Sequence, residues 1–254
     1  MRAVWAVMVR EYLIRRTSVV WFFLDLAVPL LYLLMFGVGF DAALGHGVMS
    51  GGSVVRYNEF FVASVLAMAC FGSAINQSYG FFVDRDNGIF YEFLTYPMTR
   101  GQLMLGKILY QGLMSLVQLV LVLIAATLLL GARIRLEFVP LAAVGMLAGI
   151  SGWFFFLAIF AFLIRRNDTF NTVLNVLYFV LMFLSSLFYP LETVPRWLHA
   201  AAMLNPLTWQ TDVLRFLTVG VGNIPMILAE TALFSAFMVI SFLAALRALK
   251  RGME

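Results

Sequence analysis

Long apolar runs separated by short polar stretches dominate this chain. Six runs are long enough to cross the hydrocarbon core of a bilayer, which takes about 20 mostly apolar residues in a helix. They lie at Val19–Phe40, Phe60–Val83, Ile108–Leu130, Phe138–Ile164, Asn171–Tyr189 and Ile224–Leu246. The pattern predicts an all-α integral membrane protein with six transmembrane helices, folded as one domain over residues 1–254.

The segment before the first run, residues 1–17, predicts an amphipathic helix. At helical spacing Trp5 and Tyr12 share one stripe, while basic residues occupy much of the remaining surface. Glu11 and Arg15 have the i,i+4 spacing of a helical ion pair. Helices of this kind lie in the membrane interface, so we expect an interfacial helix here.

The longest polar interruption, residues 84–107, separates the second run from the third. Gly88 breaks the preceding helix, a short helix can follow, and Pro97 ends it. Thr99 with Gln102 three residues later is a capping-box signature for a further helix. The pattern therefore predicts a loop that contains a short helix, a break and the start of the third span.

Part of this loop imitates a nucleotide-binding motif. Gly101, Gly106 and Lys107 fit G-x-x-x-x-G-K, but Ile108 follows where the motif needs a Ser or Thr hydroxyl for magnesium. No strand is predicted before it, and an apolar span follows. We therefore expect no nucleotide site in this chain, so that any ATP and magnesium are bound by a partner chain.

Composition agrees with a membrane protein and excludes several kinds of site. The chain has 254 residues, of which 63% are hydrophobic and 12% charged, whereas soluble domains average about 25% charged. A single cysteine allows no internal disulfide. The two histidines, His46 and His199, lack the spacing of metal ligands, so we expect no metal and no cofactor.

The basic residues are distributed as an orientation signal rather than as a nucleic-acid surface. Arg56, Arg133, Arg135, Arg196 and Arg215 fall on one side of the predicted membrane. The other side carries Arg2, Arg10, Arg15, Arg16, Arg85, Arg100, Lys107, Arg165, Arg166, Arg247, Lys250 and Arg251. Cytoplasmic loops carry the excess of Lys and Arg, so both termini and the loop 84–107 are predicted to be cytoplasmic.

The segment 190–223 is too polar to span cleanly and too apolar for an ordinary loop. Pro195 lies near the start of one short helix. Asn205 is an N-cap signature for a second helix, with Pro206 at its first position. We expect an external re-entrant helical hairpin, with Thr208 or Thr211 accessible from outside.

The alternative for this segment is a seventh span over Trp197–Leu217. It would bury Asp212 and Arg215 in the membrane and break at Pro206. It would also place the basic C-terminus outside, against the positive-inside rule. The hairpin is therefore favoured.

Two acidic residues lie within predicted spans, where charges often mark function. Asp25 is near the cytoplasmic edge of the first span and Glu230 near the outer edge of the sixth, so they are not expected to pair. Each is a candidate pathway residue, with a hydrated interface or a packing role as the alternative. Gly145 and Gly149 form a G-x-x-x-G predicted to pack against a neighbouring span.

Two local patterns in this frame resemble the ABC type-2 exporter permeases, the group that includes antibiotic-export, nodulation-factor and polysaccharide-export permeases. The cytoplasmic pattern falls on Asp84, Arg85, Asp86, Gly88, Glu92, Pro97, Thr99, Arg100, Gly106 and Lys107. The external pattern falls on Pro190, Pro195, Trp197, Leu198, Leu204 to Thr208, Asp212, Leu214 and Arg215. The resemblance covers essentially the whole chain.

The resemblance implies the transmembrane subunit of an ATP-driven exporter in the bacterial cytoplasmic membrane. It implies a homodimer embedded in membrane lipids, with two cytoplasmic ATPase subunits below it and no catalytic residues of its own. The loop would couple to the ATPase through Asp84, Arg85, Asp86, Gly88, Phe90, Glu92, Phe93, Pro97 and Arg100. The external gate would comprise Pro190, Pro195, Trp197, Asn205, Pro206, Asp212 and Arg215.

The substrate is expected to be amphipathic or hydrophobic, such as a drug, an antibiotic or a lipid-like molecule, because the spans offer apolar walls and few charges. A lipid-linked polysaccharide or glycan is the alternative. A membrane enzyme or ion-coupled carrier that acts without an ATPase is more distant, since the spans contain no cluster of His, Asp and Glu and no evident repeat.

Overall fold

The computed structural model describes residues 2–17, 19–43, 45, 47–89, 92, 95–96 and 98–251. Within these ranges the regular secondary structure is helical apart from one antiparallel β-hairpin, in which β1 pairs with β2. In chain order the elements are α1 (Arg2–Thr17), α2 (Val19–Ala43), β1 (Val48–Ser50), β2 (Ser53–Val55), α3 (Tyr57–Asp86), α4 (Arg100–Leu130), a 3-10 turn (Leu136–Phe138), α5 (Val139–Leu163), α6 (Asn167–Phe183), a 3-10 turn (Leu191–Thr193), α7 (Arg196–Met203), α8 (Pro206–Val219) and α9 (Ile224–Arg251).

Five of the described helices are long and apolar enough to cross a membrane, which makes the chain a multi-pass membrane protein. These segments correspond to the predicted spans one to four and six. They are Phe23–Ala43, Tyr57–Asp86, Gly101–Leu130, Leu136–Leu163 and Ile224–Ala248. The prediction of spans is confirmed for these five.

The predicted fifth span, Asn171–Tyr189, coincides only in part with helix α6. This helix has 17 residues, or about 25 Å at the helical rise, against a hydrocarbon core of about 30 Å. It ends before Ser185, whose hydroxyl donates to the Met182 carbonyl oxygen at 2.6 Å. Such local hydroxyl contacts compete with the helical ladder. A sixth span therefore stays a prediction.

Helix α3 forms the centre of the bundle and packs against α2, α4, α5 and α8. Nearly all of its residues from Tyr57 to Cys70 are fully enclosed, and aromatic rings from α2 and α5 pack on both of its halves. Trp153 of α5, for example, lies 4.5 Å from Phe71 between ring centroids. Because α3 is surrounded by helices, it positions the polar groups at both of its ends.

Two helices, α4 and α8, begin at the N-caps that the sequence predicts. Thr99 Oγ1 accepts from the Gln102 amide at 3.3 Å, and Gln102 Oε1 accepts from the Thr99 amide at 2.9 Å. The Asn205 side chain accepts from the Leu207 amide at 2.9 Å, with Pro206 beginning α8. Both cap predictions are confirmed.

Helix α8 lies inside the bundle, where it packs against α3, α5 and α9. Thr208 and Thr211 are both completely buried, so the expectation that either is accessible from outside is wrong. The reason is visible on α5, where two glycines leave space for α8. The nearest atom to a Cβ at Gly145 would be a Leu214 methyl at 3.3 Å, and a Cβ at Gly149 would lie 2.0 Å from Gln210 Nε2.

Helix α1 packs along the start of α4. Gly106 makes this approach close, because a Cβ there would lie 2.7 Å from the Val7 Cβ and 3.0 Å from the Val4 carbonyl oxygen. The predicted stripe of Trp5 and Tyr12 is on the exposed side of the helix. The buried side instead carries Val7 and Glu11.

We predict that Gly149→Ala destabilises the bundle by about 1–3 kcal/mol, because the added methyl overlaps the Gln210 amide and overpacked cores relax poorly. Thermal unfolding of the purified protein in detergent measures this change. Gly145→Ala is the matched control and should change stability less, since the Leu214 methyl 3.3 Å from its Cβ is the end of a flexible side chain and needs to shift by only a few tenths of an ångström. Equal effects of the two substitutions would contradict the close approach of α5 and α8.

Candidate functional site

Four charged side chains form one cluster where α1, α3 and α4 meet. The Arg10 guanidinium binds the Asp84 carboxylate through two contacts, Nη2 to Oδ1 at 2.6 Å and Nη1 to Oδ2 at 3.1 Å. Lys107 Nζ lies 2.8 Å from both Glu11 Oε1 and Asp84 Oδ2. Lys107 is 1% exposed, so the cluster is a buried and formally neutral set of two cations and two anions.

Electrostatics couples the members of this cluster. Burial alone would lower the pKa of the Arg10 guanidinium, but the hydrogen bonds and negative charges of Asp84 and Glu11 outweigh it and raise that pKa. Glu11 pairs with Lys107 and Arg10 rather than with Arg15, so the predicted Glu11–Arg15 pair is wrong. A buried charge needs a partner from a neighbouring helix, and this need outweighs the weak i,i+4 interaction.

Arg85 hydrogen-bonds to the C-terminal end of α5. Its guanidinium donates to the carbonyl oxygens of Ala161, Phe162 and Ile164, with distances of 3.1 Å to Phe162 and 2.6 Å to Ile164. These are the last carbonyls of α5, which have no partner within the helix. A cation also interacts favourably with a helix C-terminus. The consecutive residues Asp84 and Arg85 thus join α3 to α1, α4 and α5.

The rest of the predicted coupling loop is partly described. Asp86 and Glu92 are exposed, and Gly88 has a φ of +74°, a conformation that favours glycine. Arg100 begins α4, where its backbone is described. Phe90, Phe93 and Pro97 lie outside the described residues. Gly101, Gly106 and Lys107 are all helical, so the G-x-x-x-x-G-K sequence is not a phosphate-binding loop here.

Asp25 is held by contacts from three other helices. Its carboxylate pairs with Arg15 of α1 and accepts from Asn76 Nδ2 of α3 at 3.0 Å. Pro29 lies four residues further along α2 and has no N–H to bond the Asp25 carbonyl oxygen. Gln118 Nε2 of α4 donates to that oxygen at 2.9 Å instead. The proline therefore creates a buried acceptor that α4 satisfies.

A cavity of about 240 Å³ lies beside Asp25, between α2, α3, α4 and α6. One part of its wall is apolar and the other is polar. The lining comprises Leu24, Asp25, Val28, Pro29, Tyr32, Val65, Met68, Ala69, Gly72, Ser73, Asn76, Gln118 and Tyr178. Such a lining suits a molecule with a hydrophobic body and a few polar groups.

At the opposite end of the bundle, the buried guanidinium of Arg215 connects several helices and loops. It pairs with Asp212, donates to the Ser186 carbonyl oxygen at 2.8 Å and to the Phe60 carbonyl oxygen at 3.3 Å, and lies over the Phe60 ring. Asp212 also accepts from Ser186 Oγ at 2.8 Å. Burial raises the pKa of Asp212, while Arg215 and the Ser186 hydrogen bond act in the opposite direction.

The remaining predicted gate residues lie before, within and between α7 and α8. Asn205 caps α8 and also donates through Nδ2 to the Leu181 and Leu184 carbonyl oxygens, both at 2.7 Å. Pro195 precedes α7 and Trp197 is 69% exposed. Pro190 is buried, and its carbonyl oxygen accepts from the Thr193 hydroxyl at 3.0 Å. Asp212 and Arg215 meet directly, whereas Trp197 lies on the outer surface.

Sequence reasoning missed two functions of polar residues. The sequence associates Lys107 with a nucleotide-like motif, with the basic cytoplasmic side and with the pattern that resembles the exporter permeases, but its burial against Glu11 gives no local signal beyond the adjacent Gly106. Gln118 lies in an apolar run and drew no attention, although an intramembrane amide usually has a partner on another helix. Asp25 and Glu230 are separate, as predicted, since each lies beside a different cavity.

The sequence of this chain is similar to those of known transport proteins. The sequence profile of the ABC-2 type transporter family matches residues 2–219. The predicted transport permease ycf38 of Cyanophora paradoxa is 26% identical over 199 residues, and that of Porphyra purpurea 24% identical over 191 residues. Each of these alignments covers 74% of this chain and 64% of the relative, so the chain spans less than two thirds of their length. The daunorubicin resistance ABC transporter permease protein DrrB1 of Streptomyces coeruleorubidus is 26% identical over 220 residues, which is 81% of this chain and 72% of that protein.

We predict that Lys107→Met destabilises the protein by about 3–5 kcal/mol, because Arg10 alone then faces two buried carboxylates. Combining it with Glu11→Gln should recover part of the loss, since one cation then faces one anion. Thermal unfolding in detergent measures both. Arg16→Met, at an exposed arginine of α1, is the control and should change stability little. A loss of stability as large as that of Lys107→Met would refute the buried cluster.

Proposed function

This chain belongs to the ABC-2 type transporter family, and we propose that it is the transmembrane subunit of an ATP-driven exporter. The observation that carries the proposal is the family match over residues 2–219 together with the cavity beside Asp25, whose wall is mostly apolar and carries a few polar side chains. Export as the direction is supported by the likeness to DrrB1, which is named as a resistance permease. The site has no arrangement of side chains that suggests a reaction on a substrate.

The substrate we propose is an amphipathic or hydrophobic small molecule. The cavity offers aliphatic contacts from Leu24, Val28 and Met68, while Asn76 and Gln118 can orient a polar group. At about 240 Å³ it is smaller than most sites for drug-sized ligands, which are about 300–1,000 Å³. A second copy of the chain would supply the remaining wall of the substrate pathway.

A homodimer is supported by the helices that border this cavity. The outer side of α2 carries exposed apolar side chains such as Leu31 and Met35, and α6 carries Phe179 and Phe183. Lipid tails or a second copy can cover such surfaces. The cavity lies between these two helices and the core of the bundle, so a second copy placed against them would enclose a shared path.

The proposed coupling to ATP hydrolysis uses the loop after α3. The charge cluster and Arg85 fasten both helices that flank the loop, while Asp86 and Glu92 remain exposed to a partner. We place this end in the cytoplasm because most Lys and Arg residues of the connecting segments lie there. ATP and magnesium would be held by two copies of the ATPase chain, since Lys107 is already paired within the cluster.

The direct test is transport by proteoliposomes that contain this chain and its co-purified ATPase. ATP-dependent movement of a fluorescent amphiphile, lost when the ATPase cannot hydrolyse ATP, is the expected result. Transport by the purified chain alone under a proton or sodium gradient would reject the proposal and favour an ion-coupled carrier.

We expect Gly72→Leu to reduce this transport several-fold, because a side chain there fills the cavity. A Cβ at Gly72 meets no atom within 4 Å, so the protein should still fold. Gly80→Leu on the same helix is the matched control, since its Cβ is equally unobstructed but lies away from the cavity lining. Equal transport by both variants would remove the cavity from the path.

The loop yields a second prediction. The double variant Phe90→Ala/Phe93→Ala should weaken ATPase binding about 100-fold or more, because each buried aromatic contributes roughly 1.5–3 kcal/mol. Pull-down of the ATPase together with the transport assay measures this. Trp197→Ala, at an exposed aromatic of the opposite end, should leave association unchanged, and Glu92→Gln should spare association while lowering transport. Unaltered association in the double variant would mean that this loop is not the coupling element.

A further inference from the structure

A second cavity, of about 220 Å³, lies at the end of the bundle that carries Arg215. Its wall combines apolar and charged side chains. The lining comprises Ser50, Gly51, Ser186, Pro190, Leu191, Glu192, His199, Asp212, Arg215, Val221, Gly222, Asn223, Met226, Ile227 and Glu230. Three carboxylates and one guanidinium border it, which gives an excess of negative charge.

Most of these charges already have partners. Asp212 pairs with Arg215 and accepts from Ser186 Oγ at 2.8 Å. Glu192 is exposed and accepts from the Gly51 amide at 2.8 Å. Asp212, Arg215 and Glu192 are therefore each engaged within the protein.

Glu230 of α9 differs from the others. It is only 2% exposed, and neither of its carboxylate oxygens has a hydrogen-bond partner. A buried polar group without a partner costs free energy, so such groups are uncommon unless a ligand or a proton satisfies them. Glu230 therefore presents two unused acceptors to the cavity.

The chemistry of the site selects a ligand class. An anion would meet an excess of carboxylates, and the described residues contain no group of three or more side chains suited to hold a metal ion. An ammonium group carries one positive charge and three N–H donors, which fits a carboxylate with two unused oxygens. Leu191, Met226 and Ile227 offer an apolar surface beside it, so the ligand should carry a hydrophobic part next to the ammonium.

We propose that Glu230 binds the ammonium group of a cationic amphiphile in this cavity, with Asp212 adding negative charge. The volume is too small for a whole drug-sized molecule, so the cavity takes the amine end while the apolar body extends from it. This inference rests on the proposed export function, because it names cationic amphiphiles as the substrate class. An aminophospholipid headgroup has the same chemistry and is a second source of such a group.

The test measures binding by the purified full chain in maltoside micelles, without ATPase. The probes are a dansyl-labelled octylamine with a free primary ammonium group and its N-acetyl derivative, which has no charge. We expect the wild-type chain to bind the amine about tenfold more tightly or better, the effect of a charge-assisted hydrogen bond. Glu230→Gln should remove this preference, leaving the two probes within about twofold of each other.

Glu137→Gln is the matched control, because Glu137 is an exposed carboxylate at the same end of the bundle and is paired with Arg135. It should keep the preference for the amine. Added phosphatidylethanolamine that displaces the amine identifies a lipid headgroup as the occupant, whereas no displacement identifies a free amphiphile; both support an ammonium site. Equal binding of amine and amide by the wild-type chain overturns it. Because no ATPase is present, that result is independent of whether the chain works as an ATP-driven exporter.

Discussion

The pairing of buried charges is the constraint on which this structure depends. A charged side chain in an apolar bundle is tolerated only when a counter-charge and hydrogen bonds replace the lost water. Glu11, Asp84 and Lys107 meet this condition together with Arg10, and no single helix could supply all four groups. Helix α1 is therefore part of the bundle, held to α3 and α4 by ionic contacts as well as by the close approach of Val7 to Gly106.

The same constraint links the proposed ATPase surface to the cavity. Asp84 and Arg85 lie at the start of the loop and hold α1, α4 and the end of α5. A few residues further along α1, Arg15 pairs with Asp25, which borders the cavity. A movement of the loop would thus act on α1 and α4 together, and α1 contacts the cavity wall directly.

At the end of the bundle that carries Arg215, the short helix α8 packs inside the bundle and provides hydrogen bonds to the backbone of neighbouring helices. It begins at Asn205, which also satisfies the last carbonyls of α6, and it presents Arg215 to the carbonyl oxygens of Phe60 and Ser186. Irregular backbone near residues 184–190 would be costly in lipid, but here protein side chains provide the hydrogen bonds. Side chains of α8 and α9 together line the cavity beside Glu230.

The sequence alone determined the features that depend on neighbouring residues. Apolar length predicted six spans, of which five coincide with long apolar helices. The Thr99–Gln102 and Asn205–Pro206 patterns predicted where α4 and α8 begin, because hydrophobic spanning and capping are local. Tertiary structure alone decided that Glu11 pairs with Lys107 rather than with Arg15, that Gly149 receives Gln210, and that Thr208 is buried. These outcomes depend on the rotation of each helix and on which neighbour it meets, and the buried charges and close approaches that select one arrangement are made between residues far apart in the chain.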